Sequence, residues 1–190
     1  MKKMIRTLSV VLALSLLAVV FTGCSGGNVE SYAEDGSYIY NEKASLMTPT
    51  NYTAEQLDTV VPQYMKDNGV TGAVFAEVEA AHGVNALFLI AMADYESGAG
   101  TSENASEEFK NYLGSKAVGI FTAYESYEAG VRSAGKFIAE KYLTEGARFY
   151  AGSTLKDLST VWGSTQGGGA EAFQAGIGGK MAEYYAAING

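Results

Sequence analysis

An all-α domain is predicted over residues 47–190 on three observations. Apolar residues recur there at spacings of three and four. Thr and Asn stand at the positions that open helices. No run alternates apolar and polar residues as a half-buried strand does.

Thr53 with Gln56 forms a capping box that opens a helix running to about residue 65, with Gly69 just past its end. A second helix is predicted over 72–82, with Val74, Phe75, Val78 and Ala81 inward and Gly83 as its stop. Asn85 caps a third over 86–97, closed by Gly98. This helix is apolar nearly all round, which places it at the centre of the domain. A glycine-rich loop and a short helix near 105–112 follow. The next helix, about 126–143, turns Tyr127, Val131, Ala134, Ile138 and Tyr142 to the core. Thr154 and Asp157 make a second box, starting a helix with Leu155, Leu158 and Trp162 inward. A last helix over 169–188 buries Phe173, Ile177, Met181, Tyr184 and Ile188. The glycines at 167–169, 176, 178 and 179 follow no strand, so they read as a loose turn and a weakened or closely packed helix, without phosphate-loop context. The sequence has no internal repeat.

The N-terminus has a different logic. Lys2, Lys3 and Arg6 precede an apolar run over residues 8–21. As a helix that run is about 21 Å long, short of the roughly 30 Å hydrocarbon core, so it reads as the apolar region of a signal peptide. It ends in Phe21-Thr22-Gly23-Cys24, which resembles a lipobox, with Phe21 where Leu is more usual. Cleavage after Gly23 would leave Cys24 as a lipidated N-terminus outside the membrane, held by two or three acyl chains. The expected organisation is a signal peptide over 1–23, a lipidated tether over 24–46 and the helical domain over 47–190. Tyr32, Tyr38 and Tyr40 are the tether residues able to pack on that domain.

Cys24 is the one cysteine, which excludes an intramolecular disulfide and a cysteine metal cluster. Loss of the signal peptide removes three basic residues and no acid, taking the net charge from −8 to about −11. Such a chain is a poor partner for nucleic acid or anionic lipid head groups and points only weakly to an uncharged ligand such as a sugar.

The central helix ends in Asp94-Tyr95-Glu96-Ser97-Gly98. Glu96 shares a stripe with Leu89, Met92 and Ala93. Desolvation and the negative helix end both favour its protonated form, the state needed for general-acid cleavage of a glycosidic bond. A solvated Glu in a surface ion pair is equally compatible with the spacing. Asp94 points elsewhere on the helix, toward an ion pair with a loop. His82 sits where it caps carbonyls, and Trp162 and Tyr127 have the phase of core residues.

The segment 83–102, ending in Glu96-Ser97-Gly98-Ala99-Gly100-Thr101-Ser102, resembles the core motif of the bacterial cell-wall endo-β-N-acetylglucosaminidases, glycoside hydrolase family 73. Segments 47–57, 110–114, 121–131 and 135–142 resemble other parts of that family in the same order. The resemblance implies a lysozyme-like helical fold, peptidoglycan glycan strands as substrate, Glu96 as general acid and no metal or organic cofactor. Ser97, Gly98, Ser102 and Asn111 fall in the matching segments and are expected substrate contacts; Tyr112, Tyr124 and Tyr127 offer aromatic faces able to line a sugar groove, with core packing the alternative, above all for Tyr127. The family places a β-hairpin after the Asn-containing turn, often carrying a second catalytic carboxylate. Only residues 115–120 are available here, so a reduced or missing hairpin lobe is expected, with Glu125 and Glu128 the nearest downstream candidates. Without a second carboxylate, the acetamido group of the sugar can assist departure of the leaving group. The function expected is a membrane-anchored, monomeric, extracytoplasmic peptidoglycan hydrolase cutting the β-1,4 bond on the reducing side of N-acetylglucosamine. The alternatives are a non-catalytic peptidoglycan- or partner-binding domain and a lytic transglycosylase.

Overall fold

The computed structural model describes residues 31–162 and 169–190. Residues 1–23, expected as a signal peptide, and Cys24, Gly167 and Gly168 lie outside the described residues. The elements in order are α1 (Ala54–Asp58), α2 (Gln63–Asp67), α3 (Gly72–His82), α4 (Ala86–Glu96), a 3-10 turn (Glu103–Ala105), β1 (Lys116–Ala117), β2 (Ile120–Phe121), α5 (Tyr127–Ile138) continuing as a π-helical turn (Ala139–Leu143), α6 (Leu155–Val161) and α7 (Gly169–Asn189). The domain is helical, with a hairpin two residues deep on each side.

Helix α4 is the axis of the core. Residues 86–93 are all buried, so the missing polar face is explained by neighbours on every side, among them α3 and α7. Its N-terminus is held by Asn85, which accepts from the Phe88 N–H, and by the carboxylate of Glu79, which accepts from the Ala86 N–H at 2.7 Å. Buried Glu79 also accepts from the N–H groups of Thr50 and Asn51 and from the Thr50 hydroxyl. This carboxylate fastens the chain before α1 to the α3–α4 corner. It takes the inward place on α3, while Ala81, expected inward, is exposed.

Both capping boxes form: Thr53 with Gln56, and Thr154 with Asp157. The first helix is shorter than expected. Pro62 has no N–H and cannot continue it, so the chain turns and restarts as α2. The short helix expected near 105–112 is a 3-10 turn at Glu103–Ala105. The π-helical turn after α5 changes the phase there, burying Leu143 and leaving Tyr142 half-buried at the surface.

Residues 31–46 are not a free tether. Tyr38 is buried, with its ring edge-on to Tyr32, Tyr52 and Tyr185. Tyr40 donates to the carbonyl of Gly178, and the Leu46 N–H donates to Ser153. Aromatic burial, invisible to a helical-period search, joins this strap to α7 and to the start of α6.

Candidate active site

The last turn of α4 is fixed from behind. Asp94 is buried and accepts from the hydroxyls of Tyr64 at 3.0 Å and Tyr184 at 2.8 Å, with Lys180 of α7 as its ion-pair partner. The expected ion pair exists, but its cation comes from a helix and not from a loop. Ser97 is fully buried; its hydroxyl lies 3.0 Å from that of Tyr64 and accepts from the Gly100 N–H.

The chain then reverses through three left-handed residues, Gly98 (φ +55°), Ala99 (φ +55°) and Gly100 (φ +81°). A Cβ at Gly100 would stand 2.5 Å from the Tyr64 ring, and one at Gly98 would stand 2.7 Å from the Ser102 hydroxyl oxygen. Backbone handedness and contact with Tyr64 and Ser102 together require both glycines. The Ser102 N–H donates to the Ser97 carbonyl, closing the loop. Ser97, Gly98 and Ser102, expected as substrate contacts, build the loop that aims the end of α4.

Glu96 emerges where this scaffold ends. Its carboxylate sits between Trp162 and the hairpin: the Trp162 Nε1–H donates to Oε1 at 3.1 Å, and a Cβ at Gly114 would lie 3.6 Å from Oε2. Burial pushes the Glu96 carboxyl up to about 7, against the opposing effects of the Trp162 hydrogen bond and the Lys116 charge. Glu96 opens into a groove of about 620 Å³ lined by Gly114, Ser115, Lys116, Phe137, Tyr142, Phe149, Val161 and Trp162. That volume lies within the range of about 300–1,000 Å³ usual for ligand clefts. Tyr142 is the hub of its aromatic wall, with ring centroids 4.9 Å from Trp162, 5.0 Å from Phe149 and 5.8 Å from Phe137.

Asn111 and Tyr112 do not reach the groove. Asn111 is buried and ties the base of the hairpin, accepting from the Ser115 N–H and donating to the carbonyls of Ser115 and Thr122. Tyr112 is a core residue, stacked on Tyr127 at 4.8 Å with its hydroxyl accepting from Asn68. Tyr124 packs over Gly130 outside the groove lining. Glu125 is exposed and Glu128 pairs with Arg132 on the α3–α5 face, so neither carboxylate lines the groove. Among the described lining residues Glu96 is the one acid, and the sequence of 163–168 contains none. No group of three or more His, Cys, Asp or Glu able to hold a metal occurs among the described residues.

Trp162, Tyr142, Phe149, Phe137 and Lys116 were not picked out as site residues. Trp162 does continue the Leu155/Leu158 stripe, but it stands at the C-cap of α6, where its ring packs on the core and its N–H reaches out.

An apolar buried helix delivering one desolvated carboxylic acid to an aromatic groove is an arrangement suited to general-acid chemistry on a glycan. Over residues 72–186 the sequence matches the Glucosaminidase family, mannosyl-glycoprotein endo-beta-N-acetylglucosaminidase, and the chain belongs to that family. Two Streptococcus pneumoniae proteins, from strains TIGR4 and R6, each named "Putative endo-beta-N-acetylglucosaminidase", are 27% identical over 152 residues. That alignment covers 76% of this chain but 22% and 21% of theirs, so the chain spans about a fifth of the length of these relatives. The fold is that of S. aureus autolysin E. One solved structure of autolysin E superposes with a TM-score of 0.53 at 18% identity, covering 85% of each chain. A catalytic mutant of autolysin E in complex with the disaccharide NAG-NAM also gives 0.53 at 18% identity, covering 76% of this chain and 72% of that one. The mostly helical, lysozyme-like architecture with a reduced hairpin agrees with expectation.

Proposed function

We propose that this chain hydrolyses peptidoglycan at the β-1,4 bond on the reducing side of N-acetylglucosamine, with Glu96 as general acid. The observation that carries this is the Glu96 carboxyl, pushed up to about 7 by burial and opening into an aromatic groove. A carboxylic acid still protonated near neutral pH can give its proton to the leaving oxygen, and aromatic faces stack on the apolar faces of sugar rings. As the proton leaves, the Trp162 N–H and the Lys116 charge stabilise the carboxylate that forms. Two-carboxylate hydrolysis needs a partner across the scissile bond. With one acid lining the groove, the acetamido oxygen of the sugar is the nucleophile of choice. It bonds to the anomeric carbon as the glycosidic bond breaks. Water then opens the resulting ring and gives a proton back to Glu96.

Autolysin E has been solved with NAG-NAM and with the muropeptide NAM-L-Ala-D-iGlu, which supports peptidoglycan as the substrate here. Cys24 in its lipobox-like sequence supports anchoring outside a membrane, beside that substrate. Mass spectrometry of digests of purified wall tests the chemistry. Products ending in reducing N-acetylglucosamine are expected; anhydro-sugar ends would identify a transglycosylase instead. The single groove carboxylate also favours a second reading, a domain that binds peptidoglycan without cutting. Wild-type protein that binds the wall but frees no new ends would establish it.

A further inference from the structure

Among the described residues the groove has one charged side chain besides Glu96. Lys116 lies on β1 directly across from Phe121 of β2, and its ammonium sits 4.4 Å from the centre of the Phe121 ring. A cross-strand aromatic face holds the charge in place without neutralising it. The salt bridges among the described residues join Arg132 to Glu77 and Glu128, Lys136 to Glu140, and Lys180 to Asp94. None of them uses Lys116. A lysine held on a hairpin two residues deep, in an acidic protein, leaves one positive charge on the side of the groove formed by Gly114, Ser115 and Lys116. Phe137, Tyr142, Phe149 and Trp162 supply apolar ring faces for a sugar, so the groove offers a stacking surface and a cation to the same ligand.

We infer that Lys116 selects glycans bearing a free carboxylate, pairing with an anionic substituent of the sugar bound beside Glu96. On this basis the proposed peptidoglycan substrate narrows to glycan whose lactyl or stem-peptide carboxyl is free and ionised, over the same glycan with that carboxyl amidated. The inference rests on the proposed hydrolase site and adds a determinant to it. Lys116 is exposed, so the pair is worth less than a buried one and weakens with salt.

The test uses glycan fragments with free carboxyl groups and the same fragments with those groups converted to neutral amides. The readout is the ratio of kcat/KM for acid over amide, in wild type, Lys116→Gln and Lys116→Arg. Lys116→Gln is expected to lower that ratio about 3- to 10-fold, and Lys116→Arg to retain most of it. High salt should lower the wild-type ratio toward the Gln value. If Lys116 acts only on the Glu96 proton, Lys116→Gln moves the basic limb of the pH profile upward for both substrates and leaves the ratio unchanged, which overturns the inference. If wild type cleaves neither substrate, the hydrolase proposal fails on its own. The same acid-to-amide comparison, read as Kd by calorimetry, then decides the role of Lys116: equal ratios in wild type and Lys116→Gln refute it.

Discussion

Replacing Trp162 with Phe should move the pH dependence of cleavage upward by about one unit. The indole N–H donates to Glu96 Oε1 at 3.1 Å. A hydrogen bond to the carboxylate favours the charged form, so its loss raises the pKa. Hydrogen bonds to charged groups contribute about 1.5–3 kcal/mol, and one pKa unit is about 1.36 kcal/mol. The groove is open to water, which argues for the lower end of that range and a shift from about 7 to about 8. Phe keeps a ring against Tyr142, whose centroid is 4.9 Å from that of Trp162, so the aromatic wall survives. The acid form of Glu96 is the active one, and kcat/KM therefore falls as pH rises through its pKa. Reducing-end release measured from pH 4 to 9 should show this basic limb moved up in the variant. A limb that stays in place, or moves down, would mean that the indole N–H does not govern the catalytic proton.

Three further outcomes are expected. The Glu96 carboxyl rises from an ordinary 4.5 to about 7 on folding, so its burial costs stability that sets in above pH 4.5 and is complete above pH 7. Glu96→Gln removes that cost, and the stability difference favouring the variant should grow by about 1–3 kcal/mol between pH 4 and 8; equal differences at both pH values in thermal melts would contradict it. Glu79→Ala leaves four hydrogen bonds unmade around a buried site and should cost about 3–5 kcal/mol in urea unfolding, with a loss below 1 kcal/mol arguing against the lock described for it. Cys24→Ala should move the protein from the membrane to the soluble fraction with its fold intact; retention after a high-salt wash would exclude lipid anchoring through that residue.

Much of the helical frame was legible because it rests on local chemistry. Asn85, the unbroken apolar run of α4 and the left-handed Gly83 leave few alternatives, and the two capping boxes announce α1 and α6. The α7 stripe of Phe173, Ile177, Met181 and Tyr184 was equally clear. The break at Pro62 also lies in the sequence, since proline lacks the N–H needed to continue the helix that Thr53 opens. The strap over 31–46 was expected as a tether whose tyrosines could pack on the domain; its order comes from Tyr38 and Tyr40 meeting α7, more than a hundred residues downstream, a pairing that helical periodicity does not report. Periodicity put Glu96 on an apolar stripe but left a surface ion pair equally open, and the likeness of residues 83–102 to the family motif decided between them. The surroundings of Glu96 were not legible in this way. Asn111 and Tyr112 lie next to the hairpin in sequence, yet their side chains turn inward, while Tyr142 and Phe149 reach the groove through a change of helical phase and a loop. Periodicity assigns a residue to a face, and the groove is built where several faces end.

Turnover by Glu96→Gln tests the proposed chemistry most directly. Gln keeps the size of the side chain and still accepts the Trp162 hydrogen bond, but it has no proton to give. Released reducing ends from purified peptidoglycan should fall about 10²–10⁴-fold, while Glu125→Gln and Glu128→Gln, outside the groove, leave cleavage standing. A Glu96→Gln protein that cuts within tenfold of wild type would contradict the assignment of the general acid to Glu96, and a Glu125→Gln or Glu128→Gln protein as dead as Glu96→Gln would overturn the one-carboxylate route.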